Sequence, residues 1–403
     1  MSGAPLAGVR VLAAEQMIAL PHATQLLGLL GAEVVKVEPL AGESGRHGRP
    51  QIEDPDGGRT GSTFARNNLG KSSIALDLKH PKGRDLFLDL AGHADIVAEN
   101  FRPGSADRLG IGYEAIRARH PAAIYLSISG FGNRADPPSP YRERSAYAPV
   151  VEAMAGLYEY AREGDAPPRL ASAGALGDTG PALYAVIGTL SALHQRTQTG
   201  RGCLVDVAMY DAMIAIADVV HLASVGVDPS RATRGIGILD AFRARDGWFT
   251  IEIVREPHFP RFCDAIGKPE WKQDPRLANR GGWAEHLETV IRPGVEAWAA
   301  DKTREEATEA LARFGVAVGP VNAAEDIAGD PHVRARGLVH RYPTADGSVD
   351  VVGNPIHLSD EVGGGAPESR GEDPPVPRRW PGLGAQTDEI LRDWLGLEDA
   401  QLA

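Results

Sequence analysis

Short apolar runs rich in β-branched residues alternate with helical runs along residues 9–128, and that alternation constrains the fold more than any other feature. Val9–Ala13 reads as a buried strand, Pro21–Leu30 as a helix, and Glu33–Val37, stopped by Pro39, as a second strand. A loop rich in Gly, Asp and Pro runs from Ala41 to about Thr63; then Ser73–Leu78 is a strand and Pro81 opens a helix through Leu90. Asp95–Ala98, Tyr113–Arg119 and Ala123–Ile128 add strand, helix and strand. Strands separated by helices are joined by crossovers, not tight hairpins, so the spacing predicts an α/β fold with a mostly parallel, helix-covered sheet.

The second half changes character. Thr199-Gly200-Arg201-Gly202 turns the chain into a strand at Cys203–Ala208, followed by an apolar helix from Tyr210 to about Val225. At Asp228-Pro229-Ser230 the pattern breaks, and Phe242–Ile253 reads as a hairpin with Asp246-Gly247 at its turn. Helices follow at Pro260–Ile266 and Arg304–Phe314. From Asp330 the chain returns through extended Gly- and Pro-rich segments, with Gly363–Pro377 as a surface loop, and closes on a helix whose N-cap is Thr387. A chain of 403 residues is long for one core. We expect residues 1–227 to form the first part of a large α/β domain, 228–330 a smaller α+β domain, and 331–403 a return segment completing the large one.

Charge narrows the function classes. A formal net charge of −12 leaves no broad basic face, which excludes nucleic acid as the main partner but leaves room for a local phosphate pocket. Cys203 and Cys263 lie in apolar surroundings and make no disulfide framework, as expected of thiols in a reducing compartment. No charged, then apolar, leader precedes the first strand, and the apolar tract Ala212–Val225, interrupted by Asp218 and His221, is too short to span a bilayer. A cytoplasmic protein that does not engage the membrane is expected.

Asp178 is the candidate around which the rest is arranged. It lies in Gly177-Asp178-Thr179-Gly180, after the small-residue loop Ala171–Gly177, where no bulky side chain crowds it. Pro181 marks a first helical turn, and Leu183, Val186, Ile187, Leu190 and Leu193 follow at helical spacing. Its carboxylate is therefore at or just before a helix N-terminus, where negative charge is favoured; it is a helix cap or a nucleophile. Competing motifs fail. Leu69-Gly70-Lys71-Ser72 lacks the P-loop's first glycine and precedes a strand, and Gly110-Ile111-Gly112 and Gly130-Phe131-Gly132 lack a third glycine. There is no HExxH, no Cys/His ligand spacing and no GxSxG, so no metal site is expected, and His22 reads as local packing. Lys36, Lys71, Lys79, Arg102 and Arg108 lie at strand ends or in the loops after strands, where anions bind in open parallel sheets. They are solvated surface charges, or together a phosphate pocket.

Several segments occur in a telling order: Val34-Val35-Lys36-Val37-Glu38, Glu99-Asn100-Phe101-Arg102-Pro103-Gly104, Gly130-Phe131-Gly132, Gly177-Asp178-Thr179-Gly180 and Arg196–Gly202 leading into Val205-Asp206-Val207. Gly319-Pro320-Val321-Asn322 and Asp330–Gly337 follow. From Leu6 to Leu395 the chain resembles the class III CoA-transferases, which include formyl-CoA transferase and α-methylacyl-CoA racemase. The resemblance implies a Rossmann-like large domain, a small domain and an interlocked homodimer. It places the nucleophilic aspartate on Asp178. It places coenzyme A contacts on Leu76, Asp77, Leu78, Lys79, Asn100, Phe101, Arg102, Arg108 and the segment around Tyr147; Lys36, from the basic strand-end residues above, is a further candidate coenzyme A contact. Gly235-Ile236-Gly237 is the candidate glycine loop over the site.

The implied reaction passes CoA from an acyl-CoA to a free carboxylic acid, through an anhydride and then a thioester on Asp178. A glutamine and an arginine characteristic of formyl-CoA transferase are replaced by Ile18 and Pro39, which argues against formyl and oxalate as substrates. The racemase branch uses a histidine before its aspartate, and Arg142–Gly156 contains none. A 2-methylacyl-CoA racemase with Asp178 as acid/base and a non-catalytic acyl-CoA binder are the alternatives. Arg142, Arg144 and Arg234 are surface charges or partners for a second substrate carboxylate.

Overall fold

The computed structural model describes residues 4–133, 138–160, 162, 166–168, 174–227, 237–358 and 376–402. These residues divide into two compact units, one of Met1–Tyr158, Arg169–Ala217 and Pro331–Ala403, the other of Glu159–Pro168 and Asp218–Asp330.

The larger unit is built on strands β1 (Arg10–Ala14), β2 (Glu33–Glu38), β3 (Gln51–Glu53), β4 (Arg59–Gly61), β5 (Ser72–Ala75), β6 (Ile96–Glu99), β7 (Ile124–Ser129) and β8 (Leu204–Ala208). Six of them form one parallel sheet in the order β5-β2-β1-β6-β7-β8. The helices that matter here are α1 (Ala19–Leu29), α2 (Ser62–Asn67), α3 (Pro81–Ala91), α4 (Ser105–Leu109), α5 (Tyr113–Arg119), α6 (Ala148–Met154), α7 (Leu157–Tyr160), α8 (Leu176–Thr199) and α9 (Met209–Ile216).

Both faces of the sheet are covered, which is why its strands read as near-continuous apolar runs. Val11, Ala13, Val34, Ile96, Leu126 and Ile128 point to one core with residues of α1, α8 and α9. Leu12, Val35, Val37, Ile74, Val97 and Tyr125 point to the other, with residues of α3 and the helix Thr387–Leu395. Successive strand residues thus supply opposite cores, and each fully buried Leu or Ile contributes roughly 1.5–3 kcal/mol.

The return segment is structural. Ile390, Leu391 and Trp394 are buried in the second core, and the Trp394 indole donates to Glu33 Oε1 at 2.9 Å. Thr387 is the first residue of that helix, after Gln386 at the cap; its hydroxyl instead accepts from the N–H of Ala75, the last residue of β5. The expected extended stretch contains a hairpin, Val339–Thr344 paired with Gly347–Val352, which packs Tyr342 and Val351 against Phe64, Leu69 and Trp380. The 41–63 loop likewise contains the small β3–β4 hairpin.

The apolar run expected as one helix to Val225 is broken at Ala217, whose backbone is extended, into α9 and Val219–Ser224. Asp218 follows the break, and there the chain leaves the larger unit until Pro331. The smaller unit carries an antiparallel three-stranded sheet of Ile238–Arg243, Trp248–Ile253 and Ala317–Pro320. Its middle strand alternates exposed and buried residues, and Phe249, Ile251 and Ile253 pack on Phe259, Phe262, Val295 and Leu311.

Candidate active site

Sheet order fixes where a site can form. From β1 the chain builds outward through β2 to β5, then crosses back to β6 and continues through β7 to β8. The loops leaving β1 and β6 diverge, and a crevice opens at the carboxyl ends of these strands. A cleft lies there, lined by Gln16, Met17 and Ile18 after β1, Asn100–Pro103 after β6, Ser129 and Gly130 at the end of β7, Arg144–Tyr147, Met209 and Asp178.

The crevice is braced by polar groups. Asn100 spans it, accepting from the Gln16 N–H at 3.0 Å and donating to the Gln16 carbonyl at 2.9 Å. Met17 takes a left-handed backbone conformation (φ 62°), which costs a non-glycine residue about 1–2 kcal/mol. Its N–H donates to Glu43 Oε2 at 3.1 Å. Beneath this loop lies a buried network in which Lys71 Nζ meets Glu15 Oε1 at 2.6 Å and Lys36 Nζ lies 3.6 Å from both Glu15 and Glu43. Lys71 also donates to the Pro21 carbonyl and to Asn68 Oδ1, each at 2.9 Å. Burial, opposed by Glu15, lowers the Lys71 pKa to about 8.

Lys36 therefore needs correcting as a ligand contact. Its side chain is 0% exposed, and its charge is spent on Glu15 and on Glu43, the second of which accepts from the Met17 N–H. A strand residue that follows Val35 at a strand's carboxyl half can point inward as readily as out, and here the inward acids decide it.

Asp178 is the third residue of α8, not its cap. The helix starts at Leu176, after Ala175 in the left-handed conformation, and Pro181 lies inside it. The free N–H of Gly177 is satisfied from another helix, donating to Glu152 Oε1 on α6 at 2.7 Å. Glu152 is 3% exposed, and its other oxygen accepts from the Tyr158 hydroxyl. Gly177 is required by proximity: a Cβ there would lie 2.7 Å from the Cα and carbonyl oxygen of Ala148. The expectation that the helix start holds Asp178 ionised is modified by its surroundings. Burial, and secondarily the Glu152 charge, raise its pKa from 3.8 to about 6. No ion pair involves it among the described residues.

A second cleft adjoins the first across Gln16 and Phe101 and is lined by Leu76, Asp77, Leu78 and Lys79, Val37–Leu40 and Leu109. Leu76–Lys79 thus form a wall of this neighbour, while Asn100, Arg102 and Tyr147 line the Asp178 cleft and Phe101 lines both. Arg108 lines neither; its guanidinium donates to Ser105 Oγ at 2.8 Å.

The sequence model of CoA-transferase family III matches residues 6–373. The chain belongs to CoA-transferase family III. It is 34% identical to a formyl-CoA:oxalate CoA-transferase of Rhodopseudomonas palustris, over 99% of this chain and 95% of that one. It is 33% identical to a succinyl-CoA:mesaconate CoA-transferase of Haloarcula hispanica, over 89% and 92%. Among solved structures, a CAIB/BAIF family protein from Brucella suis superposes with a TM-score of 0.83 at 31% identity, covering 98% of this chain and all of that one.

In this family III CoA-transferase, Gly235 lies outside the described residues, as do Ala171–Ala173 and Arg234. Gly237 has a local reason to be glycine: at φ 141°, a Cβ would lie 2.3 Å from the Ile253 carbonyl oxygen of the neighbouring strand. Sequence reading missed Glu15, Glu43 and Glu152. Glu152 left a signal, since it is the one acid in the otherwise apolar run Ala148–Met154. Glu15 left less, because only the sheet brings it to Lys71.

Proposed function

We propose that Asp178 is the covalent nucleophile in CoA transfer from an acyl-CoA to a free carboxylic acid. The observation carrying this reading is a partly buried carboxylate, without a cationic partner among the described residues, facing the cleft at the topological switch point. An Oδ of Asp178 attacks the thioester carbonyl, the C–S bond breaks, and an aspartyl–acyl anhydride and CoA thiolate form. The thiolate attacks the aspartyl carbonyl, releasing the donor acid and leaving an aspartyl-CoA thioester. The acceptor carboxylate then displaces CoA from Asp178, and the returning thiolate takes the acceptor acyl group from the second anhydride. No net proton is consumed.

A carboxylate is a weak nucleophile, and two features of this site compensate. A thioester bound in the cleft is at high effective concentration, and a carboxylate of pKa about 6 is more basic than an ordinary aspartate while still mostly ionised at pH 7. The adjoining cleft, with Leu76–Lys79 as one wall and Phe101 shared, suits the coenzyme's extended arm running toward Asp178. Lys79, Arg102 and Arg108 are the exposed cations available for its phosphates. Racemisation needs an acid–base pair across the α-carbon, and no histidine is among the described residues lining the Asp178 cleft.

The walls also bear on the acids exchanged. Met17, Ile18, Ile128, Ala146 and Met209 give the cleft an apolar side next to Arg144. Such a lining favours acyl groups with a carbon skeleton, of the succinyl kind used by one relative, over the formyl and oxalyl groups of the other. Intact-mass analysis after incubation with an acyl-CoA panel and a hydroxylamine quench tests the reading. We expect a hydroxamate mapped to Asp178 with succinyl-CoA and none in Asp178→Ala. Turnover retained by Asp178→Ala rejects the nucleophile.

A further inference from the structure

We propose that Glu152 is the positioning residue for Asp178: its buried carboxylate stands in for the missing helix cap and sets a second negative charge behind the nucleophile. The proposal rests on the reading of Asp178 as nucleophile and adds a residue outside the cleft to it.

The geometry begins with what α8 lacks. Its capping position is Ala175, which has no side-chain acceptor, so the first N–H groups of the helix need partners from elsewhere. Glu152 Oε1 supplies one at Gly177, the residue immediately before Asp178. Its second oxygen accepts from Tyr158. Both oxygens are thus hydrogen-bonded, and a carboxylate at a helix N-terminus gains from the helix dipole. The same carboxylate faces Asp178 as a like charge, the second cause, after burial, of the raised Asp178 pKa.

A structural acid that merely satisfied the helix could do so as a glutamine, whose carbonyl accepts equally well. Glutamate instead couples the start of α8 to the protonation of its nucleophile. Among the described residues, the cations lining the same cleft, Arg102 and Arg144, form no ion pair with either acid, and Tyr210 on α9 donates to the Met154 carbonyl. On α9 and β8, Asp211 and Asp206 act on each other, and His22 on α1 is engaged with Asn67. Acylation of Asp178 accordingly fails on the acid side at a higher pH than an uncharged neighbour would allow.

The test compares the full-length protein with Glu152→Gln, which keeps an acceptor for Gly177 but loses the charge, and Glu152→Ala, which loses both. The Asp178 carboxyl resonance, assigned by its absence in Asp178→Asn, is followed by carbon NMR from pH 4 to 8, alongside hydroxylamine-trapped acylation. We expect both variants to lower the Asp178 titration midpoint by about half a unit or more, so that Glu152→Gln acylates about threefold faster at pH 5 and equally at pH 8. Glu152→Ala alone should also acylate more slowly at every pH. Midpoints that coincide with the wild type overturn the proposal. Absence of any wild-type adduct overturns the nucleophile reading instead, and the NMR midpoints still decide the role of Glu152.

Discussion

Two acidic clusters flank the same crevice and are treated in opposite ways. Glu15 and Glu43 are buried with Lys36 and Lys71, and each acid has a cation within 3.6 Å. Glu152 and Asp178 are placed near each other with no ion pair to either among the described residues, and the result is a carboxylate raised to about 6. The first arrangement fixes a loop; the second, in the function proposed above, keeps a charge reactive. Burial alone does not distinguish structure from chemistry here. What distinguishes them is whether the buried charge has been neutralised.

The largest expected effect breaks the first cluster. Lys71→Met leaves Glu15 facing only the more distant Lys36 and deprives the Pro21 carbonyl and Asn68 of a donor. Removing one member of a buried pair costs about 3–5 kcal/mol, and we expect a loss of that size in urea unfolding. Lys79→Met is the control: this lysine is exposed at the cleft wall, so stability should stay within about 0.5 kcal/mol while the KM for acyl-CoA rises several-fold. Equal stability losses for the two would erase the distinction.

A smaller effect separates the glycines around Asp178. In Gly177→Ala the new methyl group meets the Ala148 backbone at 2.7 Å, which cannot give way without moving α6 from α8. We expect a loss of about 2 kcal/mol and a fall in kcat of about tenfold, because the displaced turn carries Asp178. In Gly180→Ala the methyl group meets the end of the Ile216 side chain at 2.6 Å, which can rotate. The cost should stay below about 1 kcal/mol. Thermal melts and kcat, measured together, check the pair.

The sheet was legible because it is buried on both faces: Val9–Ala13, Glu33–Val37 and Ala123–Ile128 each fall on an observed strand within a residue or so. Period and composition report burial directly. Features that depend on partners distant in sequence were not legible. Lys36 reads as a phosphate ligand until Glu15 and Glu43 are brought beneath it, and Asp178 reads as a helix cap until Glu152 is seen to supply one. The break at Ala217 was hidden for a related reason, since an apolar run does not reveal which of its residues leave the helix. The family resemblance carried Asp178 as a site, but its surroundings came only from the fold.

A further small effect is the most diagnostic, because its sign is opposite to that of the first. Asp178 binds its proton more tightly in the folded protein, with a pKa of about 6, than the ordinary value of 3.8. Between those values the native state holds more protons than the unfolded one, so stability falls as pH rises through the window. Above about pH 6 the full cost of the buried, repelled charge is present; below the ordinary carboxylate range both states are protonated and it is gone. Asp178→Asn removes the charge, and we expect it to be more stable than the wild type by about 1 kcal/mol at pH 8, a figure discounted for the partial exposure of the group. The gain should shrink as pH falls through 6 and vanish near pH 3.5, while CoA transfer is abolished at every pH. Thermal melts of both proteins across that range read the effect. A variant less stable at pH 8 would mean that Asp178 is held by favourable contacts, as Glu15 is, and that the two clusters do not differ in kind.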